Sequence, residues 1–157
     1  MKKTLIIGLG NPILRDDGVG IAVVRELKEQ LPASDDLIIM ELSVGGLRLM
    51  EAMVGYDRII LVDAVCTPDG QAGAVRCLAL DDISMPLHTA SAHDTTLKSA
   101  LDAGRRMGLE LPDDISIVAI EAADVTHFGT AMTRAVRDAV PLAVHSIIEM
   151  LGGKNLP

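Results

Sequence analysis

The chain has 157 residues, of which 49% are hydrophobic, and a net charge of −8 at pH 7. This length and composition predict one domain over residues 1–157, with a core that needs no disulfide or metal in order to fold. The negative charge opposes nucleic-acid binding, which relies on Lys and Arg to displace counterions, and Tyr56 and Phe128 alone offer no platform for stacking bases.

The first segment combines a strand, a glycine-rich turn and the start of a helix. An apolar run, Thr4–Ile7, ends at Gly8 and Gly10, and the adjacent carboxylates Asp16 and Asp17 follow. The carboxylate of Asp16 is suited to cap the next helix by accepting hydrogen bonds from the backbone N–H groups of its first turn. Because one cap needs one carboxylate, Asp17 either supports the helix dipole or is held for chemistry.

The same turn does not match the dinucleotide-binding fingerprint. Ile13 stands where the third glycine should be, and Glu41, the first acid in position to follow a second strand, comes late for a ribose contact. We therefore expect neither NAD nor FAD as a cofactor.

Apolar spacing predicts strands that alternate with helices along the rest of the chain. The predicted strands cover residues 4–7, 37–42, 58–65, 74–80 and 115–120, and the predicted helices cover residues 18–31, 47–54, 94–108 and 133–151. Residues 81–93 show no clear period and are predicted to form a surface loop.

Several details of these helices can be tested against a structure. Asp94 is predicted to cap the third helix, and Pro141 should kink the fourth without ending it. The residues predicted to face the core are Leu47, Met50 and Val54 in the second helix, Leu97, Leu101 and Met107 in the third, and Val136, Val140, Val144, Ile147 and Leu151 in the fourth.

This alternation predicts a parallel sheet with helices on both faces. The first three strands are close in sequence, so their predicted spatial order is second, first, third, with a reversal of winding between strands one and three. Ligands of open α/β sheets bind at the carboxyl ends of the strands beside such a reversal. Asp17 follows strand one and Asp63 ends strand three, which predicts that both carboxylates line one crevice.

Asp63 is the strongest single candidate for a functional residue. It interrupts the apolar run Arg58–Val65, and a buried carboxylate is costly unless it is paired, hydrogen-bonded or bound to metal. His93 precedes the predicted cap Asp94, where the positive end of a helix favours the neutral ring that a metal ligand needs. A solvated loop histidine is the alternative for His93, and His88 is a rival ligand.

The remaining polar candidates have weaker support. Cys66, three residues after Asp63, could act as a nucleophile but has no evident base nearby in sequence. His127 is predicted at the surface, with a place in a substrate channel as the alternative, and His145 is predicted to be structural. Cys66 and Cys77 lack metal or redox spacing, which is typical of a reducing compartment. No apolar run approaches the ~20 residues of a membrane span, so we expect a cytoplasmic protein without membrane contact. We also expect a monomer.

Four motifs follow one another along the chain: GLGNPILRDDGVG from Gly8, LVDA at Leu61–Ala64, SAH at Ser91–His93, and Ile120-Glu121 at the end of the last strand. Together they resemble the hydrogenase maturation endopeptidases over nearly the whole chain. The resemblance implies a three-layer α/β/α fold whose five-stranded mixed sheet has the order 2-1-3-5-4, with strand 4 antiparallel. The weak alternation of residues 74–80 agrees with an antiparallel or edge strand.

The resemblance also implies an activity and a site. The activity is removal of a C-terminal extension from the large-subunit precursor of a nickel–iron hydrogenase after nickel insertion. Carried over by motif, the metal ligands are Asp17, Asp63 and His93, and the two carboxylates are also the catalytic candidates. The metal would be nickel brought by the precursor, although these ligands suit other divalent ions. Either a metal activates water, or one carboxylate acts as general base without a catalytic metal.

Two other functions remain as alternatives. IIGLGNP also resembles the opening motif of peptidyl-tRNA hydrolase, an esterase of similar architecture, but that family continues with Thr-Arg-His-Asn where this chain has Asp16-Asp17-Gly18-Val19. The third possibility is a non-catalytic chaperone that binds the nickel-loaded precursor through the same residues.

Overall fold

The computed structural model of the protein describes residues 2–82 and 96–152. The strands are β1 (Thr4–Leu9), β2 (Leu37–Leu42), β3 (Arg58–Val65), β4 (Val75–Ala79) and β5 (Asp114–Glu121). The helices are α1 (Val19–Gln30), α2 (Gly46–Ala52), α3 (Leu97–Arg106) and α4 (Arg134–Met150), with short 3-10 turns at Arg15–Gly18 and Leu80–Asp82.

The strands form one five-stranded sheet in the order β2-β1-β3-β5-β4. Leu5 of β1 lies opposite Ile38 of β2 and Ile59 of β3, and these pairings are parallel, as is that of β3 with β5. β4 pairs with β5 in the antiparallel direction. The predicted order 2-1-3-5-4 with an antiparallel fourth strand is confirmed, and the reversal of winding falls between β1 and β3.

Helices cover both faces of this sheet. One face packs Ile6, Ile60 and Val118 against α1 and α4, and the other packs Ile59 and Ile117 against α2 and α3. Burial on both faces explains why the central strands read as continuous apolar runs with no alternation. The predicted three-layer α/β/α architecture is therefore confirmed.

Two glycines allow α1 to lie directly on the central strands. A Cβ atom at Gly20 would overlap the carbonyl oxygens of Leu9 and Val62, and one at Gly8 would overlap the carbonyl oxygen of Gly20. Only glycine tolerates so close an approach of backbone to backbone. The residues just before α1 are thereby held over the carboxyl ends of β1 and β3.

The last two helices follow most of the sequence pattern. α4 runs through Pro141 without a break, and its predicted inward residues Val136, Val140, Val144 and Ile147 are buried. α3 begins at Leu97, with Thr96 as its N-cap, whose hydroxyl accepts a hydrogen bond from the Ser99 N–H at 3.2 Å. The predicted cap Asp94 lies outside the described residues.

In α2 and α3, Met50, Leu97 and Leu101 are buried as predicted, but three other residues predicted to face the core are exposed. α2 ends at Ala52 and buries Leu49 and Met50, whereas Leu47 and Val54 are exposed. Met107 lies just beyond the last residue of α3 and is 74% exposed. Val54 and Met107 lie beyond the last helical residue, where the apolar period no longer indicates a direction, whereas Leu47 lies in the first turn of α2 and is exposed although Leu49 and Met50 are buried.

Of the predicted surface loop at residues 81–93, only Asp81 and Asp82 are described, and they belong to a 3-10 turn. Across residues 2–82 and 96–152, every helix is either too short or too polar to cross a lipid bilayer.

Candidate active site

Three loops follow the carboxyl ends of the parallel strands β1, β3 and β5. They are the β1–α1 loop (residues 10–18), the β3–β4 loop (residues 66–74) and the β5–α4 loop (residues 122–133). Since these strands are parallel, the loops share one edge of the sheet, which we call the carboxyl edge. The opposite edge, where these strands begin, is the amino edge. The carboxyl edge beside the β1/β3 reversal is the usual binding place in such folds.

Asp63 lies in β3 close to this edge and is 0% exposed. It is paired in register with Ala119 of β5. Since strand residues alternate, its side chain shares a sheet face with Ile59 and Leu61, the face covered by α2 and α3. A carboxylate in this position replaces what would otherwise be an apolar core residue, at a cost that its interactions must offset.

Asp17 lies in the 3-10 turn before α1 and is 5% exposed. Its Oδ2 atom accepts a hydrogen bond from the Asn11 N–H at 2.9 Å, and the Oδ1 atom of Asn11 accepts one from the Ile13 N–H at 3.1 Å. The turn itself contacts β3. Asp17 and Asp63, predicted to share a crevice, thus both lie buried at the carboxyl edge.

The charged groups at the carboxyl edge affect the pKa of the Cys66 thiol. Cys66 is exposed, but partial desolvation of its thiol is the largest cause that raises its pKa, and the carboxylates of Glu121, Asp16, Asp17 and Asp63 raise it further. Four carboxylates are therefore close enough to act on a single point at the carboxyl edge. A raised pKa leaves less thiolate at neutral pH, which weighs against the nucleophile interpretation of Cys66.

Asp16 has a different role from the predicted helix cap. The N-cap of α1 is Gly18, and no side chain accepts a hydrogen bond there. The Asp16 carboxylate instead accepts hydrogen bonds from the N–H groups of Ala123 and Asp124 at 2.9 Å and from the N–H and hydroxyl of Thr133 at 2.7 and 2.8 Å. Burial tends to raise its pKa, but these hydrogen bonds outweigh burial and lower the pKa. Asp16 therefore ties the β1–α1 loop to the β5–α4 loop.

A second set of contacts joins the same two loops. The Nη1 atom of Arg15 lies 2.9 Å from Oδ2 of Asp124, and its Nε atom donates to the carbonyl of Ala131 at 3.1 Å. The Nδ1 atom of His127 lies 3.1 Å from both oxygens of Asp124. The His127 side chain foremost, with further donors including Arg15, holds the pKa of Asp124 well below its usual range. His127 itself is exposed, as predicted.

Sequence reasoning missed the structural role of Glu121, the last residue of β5. This buried carboxylate accepts hydrogen bonds from the N–H of Thr67 at 2.6 Å and from its hydroxyl at 3.0 Å, and Arg76 lies 3.4 Å away. It fixes the β3–β4 loop that carries Cys66. The signal that found Asp63, an acid that ends an apolar strand, applies equally to Glu121.

The predicted third ligand, His93, and its rival, His88, lie outside the described residues. Within residues 2–82 and 96–152, no group of three His, Cys, Asp or Glu side chains is arranged to hold a metal ion. Asp17 and Asp63 could supply two carboxylate ligands, and their burial fits a bound cation, which offsets the cost of buried negative charge. His145 is exposed on α4, 3.2 Å from Glu149.

Similarity to known proteins extends over most of the chain. The structure superimposes on a hydrogenase maturating endopeptidase HybD from Escherichia coli with a TM-score of 0.81 and 22% identity, covering 98% of this chain and 94% of that one. The hydrogenase expression/formation protein HupD of Rhizobium leguminosarum bv. viciae is 26% identical over 153 residues, which are 95% of this chain and 74% of that protein. The hydrogenase 2 maturation protease of Escherichia coli is 25% identical over 119 residues, which are 75% of this chain and 72% of that protein.

The structure is an α/β domain with buried carboxylates at a topological switch point. The family model described as hydrogenase maturation protease matches residues 21–150. The chain belongs to this family, whose members are endopeptidases. This assignment favours the protease over both the peptidyl-tRNA hydrolase and the non-catalytic chaperone.

Proposed function

We propose that this protein removes the C-terminal extension from the large-subunit precursor of a nickel–iron hydrogenase once nickel has been inserted. One observation carries the proposal: two buried carboxylates, Asp17 and Asp63, lie at the carboxyl edge beside the β1/β3 reversal in a chain of the hydrogenase maturation protease family.

In this proposal the nickel is part of the substrate. Asp17 and Asp63, joined by His93, bind the nickel that the precursor carries, because carboxylate oxygens and an imidazole nitrogen suit a divalent ion of this kind. The carboxylates of Glu121, Asp16, Asp17 and Asp63 all act on the thiol of Cys66 and raise its pKa, and negative charge in this region favours a cation over an acidic or neutral group. Binding through the nickel also orients one peptide bond beside the carboxylates.

The hydrolytic step then needs one proton acceptor at the crevice. One of the two carboxylates takes a proton from the attacking water as the water oxygen bonds to the peptide carbonyl carbon, and the proton is passed to the amine that leaves when the C–N bond breaks. The same two carboxylates would also suit a resident divalent ion, which would polarise the carbonyl when bound.

The proposed reaction is tested by the metal content of the substrate. Precursor produced in nickel-replete and in nickel-free cells is incubated with the purified protein, and the mass of the large subunit is followed. We expect trimming of the nickel-containing precursor alone, because the carboxylates bind the extension weakly without the metal.

Each other outcome has a defined meaning. Equal trimming of both precursors would refute recognition through nickel while leaving the protease activity in place. Trimming of neither, with binding of the nickel form retained, would support the chaperone alternative. Cleavage of peptidyl-tRNA in a parallel assay would support the esterase alternative.

The predicted location and oligomeric state stay predictions. Both Cys66 and Cys77 are free and exposed, which supports a reducing compartment such as the cytoplasm. The predicted monomer is checked by sedimentation of the purified protein at micromolar concentration.

A further inference from the structure

Two apolar side chains are exposed where the β1–α1 and β5–α4 loops meet. Phe128, the only phenylalanine in the chain, is 83% exposed, and Ile13 is 50% exposed. Single exposed apolar residues are common on protein surfaces, whereas adjacent ones more often mark a contact surface. The backbone shows which case applies here.

A short parallel bridge joins these loops at Leu14 and Gly129. The N–H of Gly129 donates to the carbonyl of Ile13 at 2.8 Å, and the N–H of Arg15 donates to the carbonyl of Gly129 at 2.9 Å. Because Phe128 directly precedes Gly129, whose N–H binds the carbonyl of Ile13, the backbones of Ile13 and Phe128 lie beside each other. We call these two residues the Ile13–Phe128 patch.

The patch is held by a rigid frame. Arg15 has a φ of 49°, a left-handed conformation that costs energy for any residue with a Cβ atom. The bridge, the Arg15–Asp124 ion pair and the four hydrogen bonds to Asp16 hold the backbone on both sides. A pre-ordered surface loses little conformational entropy on binding. Exposed apolar residues that are fixed in this way are suited to bind a partner.

The patch lies beside Asp17. The Asn11 N–H binds the carboxylate of Asp17, and the Ile13 N–H binds the side chain of Asn11. A peptide that binds at Asp17 and Asp63 and leaves the crevice on the side of the β1–α1 loop passes over Ile13 at the rim. The crevice offers carboxylates to its occupant, whereas the rim offers apolar contact, so the two surfaces recognise different parts of one substrate.

We propose that the Ile13–Phe128 patch binds an apolar side chain of the precursor segment that carries the scissile bond. This rests on the proposed function, since the occupant is the precursor that the crevice cleaves. The carboxylates select the metal-bearing end, and Phe128 holds the adjoining peptide through burial of its ring. Aromatic residues that become buried at the centre of a contact contribute most to binding.

The test separates binding from chemistry. With nickel-loaded precursor, Phe128→Ala should raise KM and the precursor Kd about tenfold while kcat stays within about twofold, because the patch contacts substrate away from the reacting atoms. Phe128→Leu should restore most of the affinity. Met107→Ala is the matched control, since Met107 is 74% exposed near the amino edge, and it should behave as wild type.

The other results overturn the proposal. Wild-type KM and Kd in Phe128→Ala, or a lower kcat with unchanged KM, would exclude a docking role. A wild-type dimer that Phe128→Ala dissociates would assign the patch to self-association.

If wild type trims precursor and Phe128→Ala is unaffected, only the patch fails. If wild type neither binds nor trims precursor, the proposed function fails and the patch with it. Because Phe128 is exposed, its variants should keep the wild-type Tm.

Discussion

The acidic residues at the two edges of the sheet differ in their burial. At the amino edge, Asp114 is exposed and lies 3.5 Å from the Nε atom of Arg58, and Asp57 accepts a hydrogen bond from the Lys3 N–H at 2.8 Å. At the carboxyl edge, Asp16, Asp63 and Glu121 are buried. Solvated acids cost little, whereas buried ones must be held by several donors or by a ligand.

The buried acids differ further among themselves. Asp16 and Glu121 are each bound by backbone N–H and hydroxyl donors of a loop, so their charge holds the structure together. Asp17, which accepts one hydrogen bond from the Asn11 N–H, and Asp63 are the acids for which we propose a role in binding the substrate. Two acids adjacent in sequence, Asp16 and Asp17, thus fall into different classes, which the following substitutions separate.

The largest effect is expected for Asp63→Asn. The substitution keeps the shape of the side chain and removes the charge that binds the metal-bearing end or accepts the proton. Trimming of nickel-loaded precursor should fall about 10²–10⁴-fold, measured as the initial rate of mass change, while the protein stays folded. Asp17→Asn should act in the same direction.

Asp114→Asn is the control for this prediction, since it removes an exposed carboxylate at the amino edge and should leave the rate unchanged. If Asp63→Asn trims precursor at the wild-type rate, the assignment of the crevice as the active site is wrong.

The second effect concerns stability. Asp16→Asn replaces a carboxylate oxygen by an NH₂ group that cannot accept hydrogen bonds from Thr133 or from Ala123 and Asp124. We expect the free energy of unfolding at pH 7 to fall by about 2–4 kcal/mol, measured by urea denaturation. The helix-cap interpretation predicts little effect of Asp16→Asn on processing, because Asn caps helices about as well as Asp.

Asp35→Asn provides the comparison, since Asp35 is exposed and its substitution should change stability by less than about 0.5 kcal/mol. Equal stability of the Asp16 and Asp35 variants would show that the loop contacts of Asp16 contribute nothing.

The difference between Asp63 and Asp16 shows which features of the site could be predicted from the sequence. The order of the first three strands follows from their spacing in the sequence, whereas the places of β4 and β5 were implied by the family resemblance. The burial of Asp63 follows from a local signal, because an acid that interrupts an apolar run is visible within eight residues. The partners of Asp16 are up to 117 positions away, and no local pattern carries such information. A carboxylate just before a helix indicates a cap, whereas here Gly18 is the N-cap and the partners of Asp16 lie in the β5–α4 loop.

The end of α3 and the exposed position of Phe128 were not predicted, because local sequence patterns do not show them. The apolar period of α3 continues to Met107 in sequence, but the helix stops at Arg106. Phe128 was treated as part of a loop because nothing next to it in sequence reveals the bridge to Leu14. What the sequence predicted well was the sheet, whose pattern repeats, and what it missed were the contacts between loops.

A smaller effect is expected for Glu121→Gln. The amide would leave one hydrogen bond from Thr67 unmade and place an NH₂ group near donors, which should lower the free energy of unfolding by about 1–3 kcal/mol. Arg76→Ala removes only the partly exposed partner at 3.4 Å and should cost less. The two variants are compared by urea denaturation, and a larger loss for Arg76→Ala would mean that the ion pair, not the loop contact, holds Glu121.

The smallest effect is expected for a substitution of Glu41, which tests whether burial or nearness to the carboxyl edge decides how much an acid contributes to stability. Glu41 is near the carboxyl end of β2 but is partly exposed, and it binds Arg25 of α1 through two contacts of 2.9 and 3.1 Å. The hydrogen bond from Arg25 lowers the pKa of Glu41. A lowered folded-state pKa means that the pair stabilises the protein above the unfolded-state pKa of about 4.3, and that this stabilisation is lost as the pH falls below it.

Glu41→Gln should therefore lower the Tm by no more than about 4 °C at pH 7, less in high salt, and by nothing once Glu41 is protonated. Thermal melts of both proteins across this pH range measure the difference. A Tm gap that persists at low pH would show that Glu41 acts through packing, and a gap as large as that of Asp16→Asn would mean that nearness to the carboxyl edge, and not burial, decides how much an acid contributes.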